Sequence, residues 1–137
     1  MRSAVLIISV VVGFTVAAVP SFGHHAFSAE FDANLPVTLR GTVTKMEWIN
    51  PHVWIHVDVK QPDGTVANWM VEASAPGPML RRGFTKDSLL PGTEIVVQGF
   101  QAKNRMNRAN GRDLTFAADG RTLFMGSSGT GAPDERD

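Results

Sequence analysis

The sequence predicts an all-β fold, a small barrel of five to six strands with one short helical connection. Three observations predict it. Apolar residues recur with a period of two in several separate stretches, turn residues punctuate those stretches, and a single region between them loses the alternation. The chain has 137 residues, 43% of them hydrophobic. That is enough for one domain with one core, and it excludes a multidomain enzyme.

The chain opens with Arg2, an almost unbroken apolar run from Ala4 to Val19, and Pro20-Ser21-Phe22-Gly23. This is the order of a secretory signal: a charged start, an apolar middle and a small-residue cleavage region. The run is shorter than the ~20 residues of a bilayer span, so no stable membrane span is expected after cleavage. Cleavage fits after Ala18 or after Gly23. The second is preferred because Pro20 ends the signal helix ahead of the cut. Residues 1–23 are then the signal, His24 begins the mature protein, and the expected location is a bacterial periplasm. The absence of cysteine removes disulfides, thiolate metal sites and cysteine nucleophiles together.

The mature barrel is expected over residues 24–125. From Pro36 to Trp48, Val37, Leu39, Gly41 and Val43 alternate with Thr38, Arg40, Thr42 and Thr44, which predicts a first strand bent at Gly41. Asn50-Pro51 breaks the chain. His52 to Val59 then places Val53, Ile55, Val57 and Val59 on one face and His52, Trp54, His56 and Asp58 on the other. Pro62-Asp63-Gly64 reads as a three-residue hairpin loop that pairs Gln61 with Thr65. In that register Val59 faces Ala67, Val57 faces Trp69 and Ile55 faces Val71, while Asp58, His56 and Trp54 face Asn68, Met70 and Glu72.

From Pro76 to Leu90 the alternation disappears, and a short helix or two is predicted, with Thr85 capping one turn. Thr93 to Ala102 is a fourth strand. Lys103 to Gly111 reads as a polar loop, Asp113 to Ala117 as a fifth strand and Leu123 to Met125 as a sixth. Residues 126–137, rich in glycine, serine and charge, are expected to be a disordered tail. Three strands, a helical connection and further strands, with a bend in the first, is the order of an OB-fold; a five- or six-stranded sandwich is the alternative. Closure into a barrel hides edges that a flat sheet would expose.

His24-His25-Ala26-Phe27, Glu30-Phe31-Asp32, Gly41-Thr42-Val43-Thr44, Trp48-Ile49-Asn50-Pro51-His52 and Arg81-Arg82-Gly83 resemble a family of secreted bacterial proteins known as a domain of unknown function. Members typically begin, after the signal, with His-His, a small residue and Phe, which supports cleavage after Gly23. The resemblance implies a periplasmic barrel-like domain and carries no established activity.

Charge excludes one class of partner. Thirteen basic residues balance thirteen acidic ones, so no overall field attracts nucleic acid. No phosphate-binding glycine loop, serine nucleophile elbow or zinc-protease helix motif is present, and Asp32, Glu47 and Asp58 show no acid/base pairing, so no catalytic residues are assigned. An N-terminal His24, by contrast, offers its α-amine and ring Nδ1 as a chelate, and nitrogen-rich sites favour copper among the divalent ions. His52 or His56 would supply a third nitrogen, with His25 or Met70 accessory. His52 and His56 lie about 13 Å apart along one strand, so one of them joins the site rather than both. The bland reading makes these histidines a frayed tail, a turn residue and a surface strand residue.

The competing class is a non-metal adaptor. It would grip a peptide, sugar or small envelope component through Trp54, with Glu72 and Asp58 beside it. In the bland reading Phe27 and Phe31 cover Trp54. Lys103, Arg105, Arg108 and Arg112, with Arg81 and Arg82 elsewhere, would hold an anion or lipid head group if gathered, and form a solvated loop otherwise.

Overall fold

The structure is a computed structural model that describes residues 27–126. The signal, His24, His25 and residues 127–137 of the expected tail lie outside the described residues. After a helical turn over residues 27–30 come β1 (Phe31–Glu47), β2 (Trp54–Lys60), β3 (Val66–Glu72), α1 (Pro76–Arg81), β4 (Glu94–Ala102), β5 (Arg108–Phe116) and β6 (Thr122–Phe124). Among these described residues no helix is long and apolar enough to cross a membrane.

β1 is long enough to serve two neighbours. Its residues from Pro36 to Thr42 pair antiparallel with β4, and those from Thr42 to Glu47 pair antiparallel with β2. Gly41 sits at this crossover, where a Cβ would lie 2.2 Å from the Asp58 carbonyl oxygen. Only a residue without a side chain lets the strands approach so closely. Between Val43 and Lys45 the pairing with β2 shifts register. The shift reverses the inward parity: Leu39 and Val43 point into the core before it, Met46 and Trp48 pack on the core after it, and Lys45 and Glu47 are turned outward.

The β2–β3 hairpin has the register that its turn chemistry predicts. Trp54, His56 and Asp58 pair with Glu72, Met70 and Asn68, while Ile55, Val57 and Val59 pair with Val71, Trp69 and Ala67. Gln61 N–H donates to the Thr65 carbonyl at 2.8 Å, and Gly64 takes the left-handed φ of +86° that closes the loop.

The ring closes between strands that are distant in sequence. β3 runs parallel to β5 through Met70↔Arg108, Val71↔Ala109 and Glu72↔Asn110, and β5 pairs antiparallel with β4. The hydrogen-bonded circuit β1-β2-β3-β5-β4 is an OB-type barrel, with β6 added along β5. Inside it Val43, Val53, Ile55, Val57, Val71, Ile95, Val97 and Leu114 are buried together with Met79 of α1 and with Phe84 and Leu89 of the segment that follows it. Each such side chain contributes roughly 1.5–3 kcal/mol by leaving water.

The structure corrects two expectations and narrows a third. The segment 103–111 is not all loop, because β5 starts at Arg108 and buries Ala109, Asn110 and Gly111 between β3 and β4. β1 starts at Phe31, ahead of the alternating pattern, with an irregular stretch before Pro36. Thr85 caps a single turn rather than a helix: α1 is the preceding segment, and in residues 85–88 Thr85 Oγ1 accepts from Asp87 N–H at 3.3 Å while Thr85 N–H donates to Ser88 Oγ at 2.7 Å.

Candidate functional site

The outer face of the β1-β2-β3-β5 arc carries two polar rows. One runs Glu47, Trp54, Glu72, Asn110; the next runs Lys45, His56, Met70, Arg108. Period-two alternation puts these side chains outward on each strand, and the β1 bulge brings Glu47 and Lys45 into line.

Trp54 is the centre of the first row. The Arg108 guanidinium carbon lies 4.9 Å from its ring centroid, and Arg108 Nη1 forms an ion pair with Glu30 Oε1 at 2.6 Å. The N-terminal segment therefore reaches Trp54 through Glu30 and Arg108. Phe27 and Phe31 do not cover the tryptophan, contrary to the bland expectation. They form a separate cluster with Phe100 and Ala102, Phe27 meeting Phe100 edge-on with centroids 5.6 Å apart.

Glu72 is buried beside Trp54 and accepts a hydrogen bond from Asn110 Nδ2 at 3.2 Å. Burial raises its carboxyl above the usual carboxylate range, and the nearby Glu30 charge adds to this; His52, Asn110 and Arg108 act in the opposite direction. His52 lies just before β2. Its Nδ1 donates to the Ala73 carbonyl at 3.1 Å and sits 3.9 Å from Glu72 Oε1. A carbonyl can only accept, so Nδ1 carries the hydrogen and Nε2 of the neutral ring keeps its lone pair.

His56 is arranged differently. Its Nε2 is bound to Glu47 Oε2 at 2.9 Å, leaving Nδ1, and its cross-strand partner is Met70. Lys45 Nζ also bonds Glu47, at 2.7 Å, and these two partners hold the Glu47 carboxyl below its usual range. Asp58 lies further along the same face, where it accepts from Asn68 Nδ2 at 2.9 Å.

Of the predicted site residues, Trp54 and Glu72 stand side by side with His52 next to Glu72, while His56 and Met70 form a second pair. His24 and His25 lie outside the described residues. Among the described residues no three histidine, aspartate or glutamate side chains converge as a metal site. Glu30, Arg108, Asn110 and Glu47 belong to the face and were not assigned to it from sequence. The basic cluster is dispersed: Arg108 holds Glu30, Arg112 lies 3.4 Å from Asp113, and Arg82 donates to Ser74 Oγ and the Gly126 carbonyl.

Fold and face together define a small OB-type β-barrel protein with an arginine-stacked tryptophan and a buried carboxyl on its outer strands. The chain belongs to a family of unknown function, DUF6152, whose profile matches residues 12–111. No curated protein is detectably similar to it.

Proposed function

We propose that the protein is an exported, periplasmic binding module that holds a Cu(II) ion through the α-amine and Nδ1 of a mature N-terminal His24, with His52 Nε2 as the third nitrogen. The observation that carries this reading is the bond from His52 Nδ1 to the Ala73 carbonyl. A histidine whose Nδ1–H is engaged by a carbonyl presents an oriented, basic Nε2, the arrangement usual in metal-ligating imidazoles.

Two further features support it. Phe27 is buried and Glu30 is tied to Arg108 above Trp54, so the chain enters the barrel beside Trp54, two residues along the chain from His52. An α-amine three residues before Phe27 is within about 10 Å of it along an extended chain. Of the two candidate histidines, His56 already gives its outer nitrogen to Glu47. His52 Nε2 makes no hydrogen bond among the described residues, so His52 is the better third ligand for the N-terminal chelate.

The test is a Cu(II) titration followed by electron paramagnetic resonance on exported protein whose start has been fixed by intact mass. One-to-one binding with nitrogen-rich spectra, lost on adding one residue before His24 or in His24→Ala, is expected. Weak binding indifferent to both changes would discard the chelate.

The second reading is an adaptor that binds a peptide, sugar or envelope component at Trp54. An open depression beside Arg108, lined by Asn68, Met70, Met106 and Asn107, favours it. Trp54→Ala would remove that binding while leaving Cu(II) affinity largely intact.

A further inference from the structure

Met106 is a large apolar side chain held in water, with 58% of its surface exposed. Its loop is well fixed. Arg105 adopts a φ of +62°, a left-handed conformation that an L side chain rarely takes. Gln101 Nε2 donates to the carbonyls of Arg105 at 3.2 Å and Met106 at 3.1 Å, Met106 N–H donates to Asn104 Oδ1 at 3.1 Å, and Arg108 N–H donates to the Met106 carbonyl at 2.8 Å. Local strain and a set of hydrogen bonds thus hold a thioether outward, where burial gives it no benefit.

Met106 shares its depression with a second thioether. Met70 lines the same hollow, and its backbone N–H donates to the Asn107 carbonyl at 3.0 Å, which ties β3 to this loop. Directly opposite Met70, on β2, is His56, whose Nε2 is engaged by Glu47 and whose Nδ1 makes no hydrogen bond among the described residues. The nearby Arg108 charge is balanced by Glu30. No carboxylate lines the hollow, whose other residues are Asn68, Asn107 and Arg108, and thioether and imidazole donors select soft cations.

The geometry points to a second metal site, for a soft monovalent cation of the Cu(I) class, formed by the thioethers of Met70 and Met106 with His56 Nδ1 as third donor. All three donors lie within the described barrel, so the site stands or falls independently of the N-terminal Cu(II) chelate.

Silver(I), which is redox-inert and takes the same donors, is the probe. It is titrated in chloride-free buffer into the mature chain carrying 13C-methyl methionine. One equivalent should shift the methyl resonances of Met70 and Met106 and leave those of Met46, Met79 and Met125 in place. Met106→Leu, at an exposed position that tolerates the change, should lower silver affinity at least tenfold with an unchanged far-UV circular dichroism spectrum. His24→Ala should leave that affinity as it was. The site is overturned if only Met106 shifts, if Met106→Leu binds silver equally well, or if silver binding disappears in His24→Ala. Displacement of the same two methyl resonances by an extended peptide but not by silver would assign the hollow to the adaptor reading instead.

Discussion

Glu30 closes on Arg108 at 2.6 Å, and Arg108 in turn lies over the ring of Trp54. Three segments remote in sequence are joined by this contact, and it fixes where the N-terminal segment meets the barrel. Glu30→Gln keeps the shape and removes the charge. Both partners are about a third exposed, so the pair is worth at most about 1 kcal/mol. The melting temperature should fall by no more than about 4–8 °C, and amide exchange over residues 28–31 should accelerate. Unchanged exchange there would show that Phe27 and the bonds from Lys103 to the Ser28 and Glu30 carbonyls anchor the segment without the ion pair.

The two histidines of β2 and its approach should separate in copper binding. His52→Ala is expected to weaken Cu(II) at least tenfold and to remove one nitrogen from the electron paramagnetic resonance hyperfine pattern. His56→Ala should change Cu(II) affinity by less than about threefold, because Glu47 holds its Nε2 and its Nδ1 is assigned to the thioether site with Met70. Equal losses in both variants would contradict the choice of His52.

Glu72 makes stability depend on pH in a defined direction. Burial lifts its carboxyl above the ordinary value of 4.5, so the folded protein binds this proton more tightly than the unfolded chain. Its contribution is therefore fully present below 4.5 and is lost as pH rises through the raised value. Glu72→Gln keeps an acceptor for Asn110 and removes the titration. The variant should melt above the native protein near pH 7.5, and the difference should shrink as the pH is lowered past 4.5. Parallel pH profiles for the two proteins would refute the assignment.

Closure of the barrel depends on a small residue at Gly111. A Cβ there would lie 2.6 Å from Val71 Cγ1, 2.3 Å from Met125 Cε and 3.2 Å from the Glu72 carbonyl oxygen. The methionine end can move, but the β3 contacts can do so only by parting the strands. Gly111→Ala should cost about 1–3 kcal/mol in chemical denaturation. A variant as stable as the native protein would mean that β5 shifts at no cost.

The sequence carries the β2–β3 hairpin completely, because the turn residues and the alternation impose the same register. One slipped residue would have exposed Val57 and buried His56. The first half of β5 was hidden for the opposite reason. Arg108-Ala109-Asn110-Gly111 has neither alternation nor strand-forming side chains, and becomes a strand because β3 and β4 present unpaired edges on either side. The face was legible to the same extent. His52, Trp54, His56, Met70 and Glu72 follow from one hairpin's periodicity, whereas Glu30, Arg108 and Asn110 arrive through long-range pairing. Arg108 was visible only as one of several basic residues in a supposed loop.

The parallel pairing of β3 with β5 spans only three residue pairs, and Met70, Glu72, Arg108 and Asn110 belong to it. The outer face is therefore built across the join of the barrel. A ligand that bridges those two strands acts as a rivet: it binds the closed ring and finds no equivalent surface in the open chain. Occupancy at the rim is then linked to unfolding of the entire domain, and saturation raises its melting temperature with ligand concentration. A thermal shift can accordingly report on this face even when the ligand touches nothing in the core.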